Sequence, residues 1–556
     1  MRKCIVLLLL LATTVHAASP QPVEGKHAMV ASTSEIASRI GIDVMKRGGN
    51  AVDAAVAVAF ALAVTWPAAG NIGGGGFMLI RTTDGKSEAI DYRERAPLAA
   101  SRDMYLDANG NVIKGLSTDG YKAIGVPGTV AGLMLAHERH GKLKWSELVE
   151  PARKLAEEGF IVSPFLEGIL HEKDTLKKLE PWPESRRIFL RDFKFGDRLK
   201  QPDLAKTLAR IETNPRDFYD GVIARRIVAD VHAHGGFITM KDLREYTAVI
   251  REPLHSTYRG HELIIMPPPS SGGIAIIEML HMLEPYDLAP MGSDSSRTLH
   301  LLVEVMRRAF ADRAELGGDP DFVKTPIAQL TSREFAEARA KTIDPEHAST
   351  SKEIGAGPIE HTDTTHFAIV DGDGNMVSNT YTLNDWFGAG VTAKGTGILL
   401  NNEMDDFTAR PGVENEYHLL QSAKNSIEPK KRPLSSMVPV IVLQDGKPWL
   451  AVGAAGGPRI ISTVLEIILS LVDFHMTLQE ALDANRIHHQ WMPDEIFFEP
   501  NGVNPDTRAV LEKMGHKFRD QPLPHISDAN AVMIDPKTGR RLGASDPRRG
   551  GAAVGW

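Results

Sequence analysis

The 556-residue sequence contains very little cysteine and no excess of basic charge. Its one cysteine excludes an intramolecular disulfide, a cysteine-rich zinc site and an iron–sulfur cluster. The net charge of −8 leaves no basic excess to neutralise phosphate groups, so nucleic acid is not an expected partner. Hydrophobic residues make up 42% and charged residues 24%, a balance that is typical of globular proteins and excludes a largely disordered chain.

No apolar run is long enough to span a membrane in the mature protein. The run Ile5–Leu11 follows two basic residues and precedes Val15-His16-Ala17, a small-x-small cleavage motif. This order predicts a cleaved signal peptide over residues 1–17, with an uncleaved anchor as the alternative. Cys4 would leave with that peptide, and a mature chain without cysteine suits an oxidising compartment. We therefore expect an exported protein.

The remaining chain mixes helical and strand patterns without an internal repeat. Ala51–Val64 is apolar on all faces and follows Asn50, an N-cap signal, so it predicts a helix buried in the core. The polar, glycine- and proline-marked stretch 341–363 predicts an exposed and loosely held segment. Strand patterns predict hairpins over 366–382 and 437–452, and helical patterns predict helices over 128–139, 296–313 and 463–472.

Several common ligand-binding and catalytic motifs are absent from the sequence. Asp371-x-Asp373-x-Asn375 begins like a calcium loop, but Met376 stands where such a loop needs glycine. No Gly-Lys-Ser/Thr follows the glycines at 73–76, and His488-His489 with Glu495 lack the spacing of a helical zinc pair. No Gly-x-Ser-x-Gly motif occurs. The sequence therefore predicts no metal and no cofactor.

Thr364-Thr365-His366 lies where the polar stretch meets the first predicted strand. A threonine pair is by itself typical of a strand. If the chain breaks before Thr364, however, this residue gains a free α-amine beside its own hydroxyl. Such an amine has a pKa of about 7.7–8.0 and can accept the hydroxyl proton directly or through water. One residue then provides both the nucleophile and the general base.

Further motifs surround this threonine in a fixed order along the chain. They are Gly70–Phe77, Asp91–Glu94, Pro127–Gly132, Pro267–Gly273, Asp363–His366, Thr380–Asn384, Leu400–Phe407, Arg432–Met437 and Gly456-Gly457. Together they resemble the γ-glutamyltransferase family (γ-glutamyltranspeptidase or glutathione hydrolase) of the N-terminal-nucleophile hydrolases. The resemblance extends from about residue 25 to the end of the chain.

The resemblance implies an α/β (α+β) fold, a four-layer αββα sandwich made from a precursor that cuts itself. The large subunit would be 18–363 and the small subunit 364–556, and the two would form one intertwined fold. Thr364 would take a γ-glutamyl group from glutathione or a related compound and transfer it to water or to an amino acid or peptide. The resemblance to bacterial relatives implies a periplasmic location, with secretion into the medium as the alternative.

The resemblance also implies the catalytic residues. Asp363 and Thr364 would form the bond that is cleaved, and Thr364 would then be the nucleophile. Thr382 would hydrogen-bond near it and tune it. The tetrahedral oxyanion needs preorganised donors, and Gly456 and Gly457 would supply two backbone amides without side-chain obstruction.

A γ-glutamyl substrate carries an α-carboxylate and an α-ammonium group, and the family pattern implies partners for both. Arg93 would bind the carboxylate as a fork, with hydroxyl donors at Ser435 and Ser436. The expected partners of the ammonium group are Asn384, Glu403 and Asp406. Residues 411–421 resemble the lid loop of some members, with Tyr417 as the gate over the acyl site.

Two other functions remain open on the sequence. A cephalosporin or glutaryl acylase-like amidase would share the fold, although its substrates lack the α-amino group that Asp406 is expected to bind. A secreted binding protein that never undergoes processing is the alternative from a different functional class.

We predict that the purified protein runs as two bands on a denaturing gel. N-terminal sequencing of the smaller band should begin Thr364-Thr365-His366, because the break must precede the nucleophile. Thr364→Ala should give one uncut band. A fully active wild type with an unbroken chain would contradict this mechanism.

Overall fold

The computed structural model describes residues 19–354, 364–413 and 422–556. The predicted signal peptide, Asp363 and Tyr417 lie outside the described residues. Among the residues that are described, no helix has both the length and the apolar character needed to cross a membrane.

The described strands form two seven-stranded antiparallel sheets and three two-stranded ribbons. In chain order they are β1 Val23–Gly25, β2 Met29–Ser32, β3 Gly75–Arg81, β4 Ser87–Asp91, β5 Phe160–Ile161, β6 Arg198–Leu199, β7 Val249–Arg251, β8 Leu254–Tyr258, β9 His261–Ile265, β10 Thr365–Val370, β11 Met376–Thr382, β12 Thr392–Ala393, β13 Ile398–Leu399, β14 Val440–Gln444, β15 Lys447–Ala455, β16 Ile487–His488, β17 Phe497–Phe498, β18 Asp528–Ile534, β19 Arg541–Ser545 and β20 Ala552–Gly555.

The helices cover the two large sheets or connect their strands. In chain order the α-helices are α1 Glu35–Lys46, α2 Ala51–Thr65, α3 Thr129–His140, α4 Trp145–Glu158, α5 Pro164–His171, α6 Lys173–Leu179, α7 Pro183–Phe189, α8 Pro202–Thr213, α9 Asp217–Asp220, α10 Val222–Ala233, α11 Met240–Arg244, α12 Gly272–Leu283, α13 Ser296–Leu316, α14 Ile327–Leu330, α15 Arg333–Ala340, α16 Ser351–Ile354, α17 Arg459–Val472, α18 Leu478–Asp483 and α19 Pro505–Lys513. Single 3-10 turns occur at Tyr121–Ala123, Ala289–Met291, Glu403–Asp406 and Ala423–Asn425.

The two large sheets pack face to face between layers of helices, which confirms the predicted αββα sandwich. The first sheet has the order β20-β2-β10-β11-β3-β4-β7, and the second has the order β1-β19-β18-β15-β14-β9-β8. Strands β10 and β11 pack against β15 and β18 between the sheets. Helices α1, α2 and α3 cover the first sheet, while α12 and α17 cover the second. Since β3, β10 and β11 lie between these layers, every one of their residues is buried.

Strands from before and after Thr364 alternate within both large sheets. In the first sheet β10 and β11 lie between β2 and β3, and in the second sheet β14 lies beside β9. Each part of the chain therefore completes the backbone hydrogen bonding of the other. This interleaving is the intertwined fold that the resemblance implied.

Local sequence signals account for the main elements near the site. Asn50 caps α2 in a capping box with Asp53, and every residue of this helix is buried, as its uniformly apolar sequence predicted. The first predicted hairpin is β10–β11, and the second is β14–β15. The predicted helix at 463–472 begins earlier, at Arg459, with Pro458 between it and the glycine pair.

Residues 341–354 are mostly exposed, as predicted, but they are not loosely held. Ser351 is buried: its backbone N–H donates to Asp494 Oδ2 (2.8 Å), and its carbonyl accepts from Trp491 Nε1 (2.8 Å). Its hydroxyl also accepts a hydrogen bond from Arg307 Nη1 (2.6 Å). Polar partners distant in sequence hold this segment, and apolar periodicity gives no sign of such contacts. The rest of the stretch, 355–363, lies outside the described residues.

Candidate active site

A small cavity lies at the open end of β10 and β11 and gathers most of the predicted site residues. Its lining comes from distant parts of the chain and consists of Arg93, Arg313, Thr364, Thr382, Asn384, Glu403, Asp406, Ser435, Ser436, Met437, Gly457, Pro458 and Ile460. Of the predicted site residues in the described part of the chain, Gly456 alone is not in this lining, and it directly precedes Gly457.

Thr364 is placed by the register of the first hairpin. Thr365 pairs with Tyr381, so the next position of the antiparallel ladder sets Thr364 opposite Thr382. The Thr382 hydroxyl accepts a hydrogen bond from the Asn384 backbone N–H (2.8 Å). Thr364 itself is 4% exposed. The candidate nucleophile is thus fixed at the wall of a largely enclosed cavity.

The glycine pair connects β15 to helix α17. Gly456 has φ +130° and Gly457 has φ +58°, a region that favours glycine because it lacks a Cβ atom. Arg459 Nε donates to the Gly456 carbonyl (3.2 Å), which helps to hold the loop. The N-terminus of α17 carries a partial positive charge. The loop therefore suits the stabilisation of negative charge on a reacting oxygen.

The guanidinium of Arg93 is buried in a cluster of opposite charges. It forms ion pairs with Glu403 and Asp406, both of them buried. It also donates to the carbonyls of Pro433 (3.3 Å) and Leu434 (3.1 Å). The cation expected to bind a carboxylate and the acids expected to bind an ammonium group therefore contact each other. A ligand that carries both charges meets both kinds of partner within one small volume.

The serine pair is held by the proline- and serine-rich loop that precedes α12. Ser271 donates to the Ser435 carbonyl through its backbone N–H (2.8 Å) and through its hydroxyl (2.8 Å). The Ser435 hydroxyl accepts from the Met437 backbone N–H (3.2 Å). On the opposite wall, Asn384 has φ +83° and donates through Nδ2 to the Asn402 carbonyl (3.2 Å). Ser435 and Asn384 are therefore held by hydrogen bonds that involve backbone groups.

The sequence analysis gives no role to two buried charged residues of the site, Arg313 and Glu94. Arg313 lines the cavity from the last turn of α13, and it stands in no motif that would have indicated this. Glu94 follows Arg93 within the Asp91–Glu94 motif, and this adjacency is the sequence feature that could have indicated a place in the site. Its carboxyl lies behind the cavity, with Oε2 at 3.6 Å from Arg93 Nη1.

Glu94 and Glu403 place two carboxyl groups within hydrogen-bonding reach of each other. With both groups ionised, neither Glu94 oxygen has a hydrogen-bond donor among the described residues. Burial raises the pKa of Glu94 from 4.5 to about 7, and burial also raises the pKa of Glu403 well above its usual range. One proton shared between the two groups removes their repulsion, so the site holds fewer negative charges than its residue types suggest.

We predict that Glu94→Gln changes the pH dependence of stability. The folded protein keeps a proton on Glu94 that the unfolded chain loses near pH 4.5, so this contribution to stability falls as the pH rises towards about 7. The loss amounts to about 3 kcal/mol at most. The amide of Gln does not titrate, so the thermal midpoint of the variant should rise relative to that of the wild type from pH 4.5 to 7.5.

The exposed Glu180, replaced by Gln in the same way, is the matched control. The thermal midpoint of this control variant should differ from that of the wild type by the same amount across this pH range. A constant offset for Glu94→Gln would contradict the assignment of a proton to Glu94.

Comparison with known proteins identifies close relatives along nearly the whole chain. The family model for gamma-glutamyltranspeptidase matches residues 37–556. The glutathione hydrolase proenzyme of Pseudomonas sp. (strain A14) is 47% identical over 564 residues, covering 98% of this chain and 96% of the relative. The glutathione hydrolase proenzyme of Escherichia coli (strain K12) is 47% identical over 534 residues, covering 95% of this chain and 91% of the relative.

Among solved structures, cephalosporin acylase from Bacillus halodurans has the same fold. The TM-score is 0.85 at 28% identity, and the match covers 99% of each chain. The two proenzymes are thus more similar to this chain in sequence than the acylase is. The acylase matches this chain in structure over nearly its whole length. With the family model covering nearly the whole sequence, the chain belongs to the γ-glutamyltranspeptidase family.

Proposed function

We propose that the protein is a γ-glutamyl acyltransferase and hydrolase that acts on glutathione and related γ-glutamyl compounds. The observation that carries this proposal is the composition of one cavity. It combines a threonine hydroxyl, a glycine loop at a helix N-terminus, and a buried set of cationic, anionic and hydroxyl groups. Its two relatives at 47% identity are glutathione hydrolase proenzymes.

The active enzyme forms from a zymogen by cleavage between Asp363 and Thr364. The products are a large subunit of residues 18–363 and a small subunit of residues 364–556, which remain together as a heterodimer. The interleaved sheets support this proposal, because the backbone hydrogen bonds between β2, β10, β11 and β3 do not depend on that peptide bond. Residues 1–17 direct export, with the periplasm as the destination.

Catalysis begins with the α-amine of Thr364 accepting the proton of its own hydroxyl. The hydroxyl oxygen attacks the γ-carbonyl carbon of the donor, and the amides of Gly456 and Gly457 stabilise the resulting oxyanion. The carbon–nitrogen bond then breaks, and the leaving amine takes up the proton. Water or the amino group of an acceptor attacks the γ-glutamyl ester, and the Thr364 hydroxyl is restored.

The buried charges select the donor. Arg93 and the hydroxyls of Ser435 and Ser436 bind the α-carboxylate, while Asp406 and Glu403 accept from the α-ammonium group. Asn384 adds an amide oxygen on the same side. Thr382 fixes the backbone beside the nucleophile.

An acylase-like amidase is the nearest alternative, since cephalosporin acylase shares the fold. A glutaryl group has no ammonium to meet the buried carboxylates of Glu403 and Asp406. Burying a further carboxylate beside them costs free energy unless it is paired. The acidic side of the cavity therefore favours a γ-glutamyl donor.

We predict faster turnover of a γ-glutamyl anilide than of the matching glutaryl anilide. The two compounds differ only in the α-amino group, so their ratio of kcat/KM measures its recognition. The rates are followed by release of the aniline. Faster turnover of the glutaryl compound would support the acylase assignment instead.

We predict that Asp406→Asn still matures into two subunits but binds γ-glutamyl donors more weakly. The amide keeps the shape and accepts from Arg93, while the charge that attracts the ammonium is removed. Hydrogen bonds to charged groups contribute about 1.5–3 kcal/mol, which corresponds to a rise in KM of about 10- to 100-fold.

Steady-state kinetics with the γ-glutamyl anilide measure this change. The exposed Asp119, replaced by Asn, is the control and should keep the wild-type KM. An unchanged KM in Asp406→Asn would refute its role in donor binding.

A further inference from the structure

Arg313 is held rigidly between the two serines and the loop that supports them. It is 6% exposed and lies in the last turn of α13. Its Nη2 donates to Ser436 Oγ (2.9 Å), and its Nε donates to Ser271 Oγ (2.8 Å). Ser271 Oγ in turn donates to the Ser435 carbonyl (2.8 Å). One guanidinium therefore connects both serines of the predicted carboxylate subsite.

The hydrogen bond from Arg313 determines what the Ser436 hydroxyl is able to do. A serine hydroxyl has one proton to donate and lone pairs that accept. Because Arg313 has only donors, Ser436 must accept in this contact. The Ser436 hydroxyl proton then points away from Arg313. Among the described residues, no hydrogen-bond acceptor contacts this proton. Since Ser436 lines the cavity, this proton is available to an anion there.

The charge of the cavity also depends on Arg313. The Glu94–Glu403 pair shares one proton and therefore carries one negative charge. Arg93 forms ion pairs with Glu403 and with Asp406, which leaves one negative charge in excess. Arg313 supplies the second cation and makes the lining neutral. A donor with one carboxylate and one ammonium then meets two charges of each sign.

We propose that Arg313 is a positioning residue that makes the site specific for donors with a free α-carboxylate. It directs the Ser436 hydroxyl proton towards that carboxylate, and it offsets the one negative charge that Arg93 leaves in excess. This proposal rests on the proposed function. It adds the residue by which the site distinguishes a donor that has an α-carboxylate from a donor that lacks this group.

The test compares two anilide donors in the processed enzyme. The first is the γ-glutamyl anilide, and the second is the 4-aminobutyryl anilide, which keeps the amine but lacks the carboxylate. We expect Arg313→Gln to raise KM for the γ-glutamyl anilide about tenfold or more, with kcat nearly unchanged. The kcat/KM for the 4-aminobutyryl anilide should not fall, because this donor has no carboxylate to lose a partner and its ammonium group no longer meets a second cation. Equal losses on both donors, or no loss on either, would overturn the proposal.

Further variants separate the hydroxyl contact from the charge. Arg313→Lys keeps the cation but not the paired Nε and Nη2 contacts, so its rise in KM should be smaller. In Ser436→Ala, adding Arg313→Gln should raise KM less than it does in the wild type, because the hydroxyl contact is already lost. Fully additive effects would show that Arg313 does not act through Ser436.

Two controls keep the result interpretable. Arg297→Gln, on the exposed side of the same helix, should leave the kinetics of both donors unaffected.

If a gel shows that Arg313→Gln is not cleaved into two subunits, Ser271→Ala replaces it. This variant keeps the Arg313 cation but loses its hydrogen bond to Ser271. Its KM should rise for the γ-glutamyl anilide alone, and an unchanged KM would refute the proposal. A wild type that cleaves neither anilide nor glutathione would instead refute the proposed function.

Discussion

Arg93, Glu403 and Asp406 are buried together between the ends of strands that belong to distant parts of the chain. A buried charge without a partner costs several kcal/mol, so these residues must remain close to each other. Arg93 follows β4, while both acids lie on the 3-10 turn Glu403–Asp406. The ion pairs are satisfied only when the two parts of the chain assemble, and the cavity beside Thr364 takes its shape from that assembly.

The two sheets explain how such a fold could tolerate the proposed chain break beside Thr364. Thr364 stands directly before β10, a strand that is paired on both sides, with β2 and with β11. The ladder sets Thr364 opposite Thr382 through backbone hydrogen bonds that do not depend on what precedes residue 364. The candidate nucleophile is therefore positioned by the strand that follows it.

Around this strand, the site uses rigid backbone features more than mobile side chains. Gly456 and Gly457 adopt positive φ between a strand and a helix, and Asn384 does so two residues after the end of β11. The serines are fixed through Ser271 and Arg313, whose contacts reach them from the loop before α12 and from the end of α13. Such preorganised donors stabilise developing charge without reorganising during the reaction.

The sequence by itself determined the local elements and indicated most of the candidate residues that the fold brings into one cavity. The capping signal at Asn50, the turn residues between β10 and β11, and the ordered motifs around Arg93 and Thr364 all act over short stretches of chain. Only the tertiary structure decided which charges face each other. Arg313 stands in no motif, Glu94 acquires its raised pKa from burial beside Glu403, and Ser351 is held by Asp494 and Trp491 far along the chain. Contacts between distant residues depend on how the sheets assemble, and no pattern of neighbouring residues encodes that.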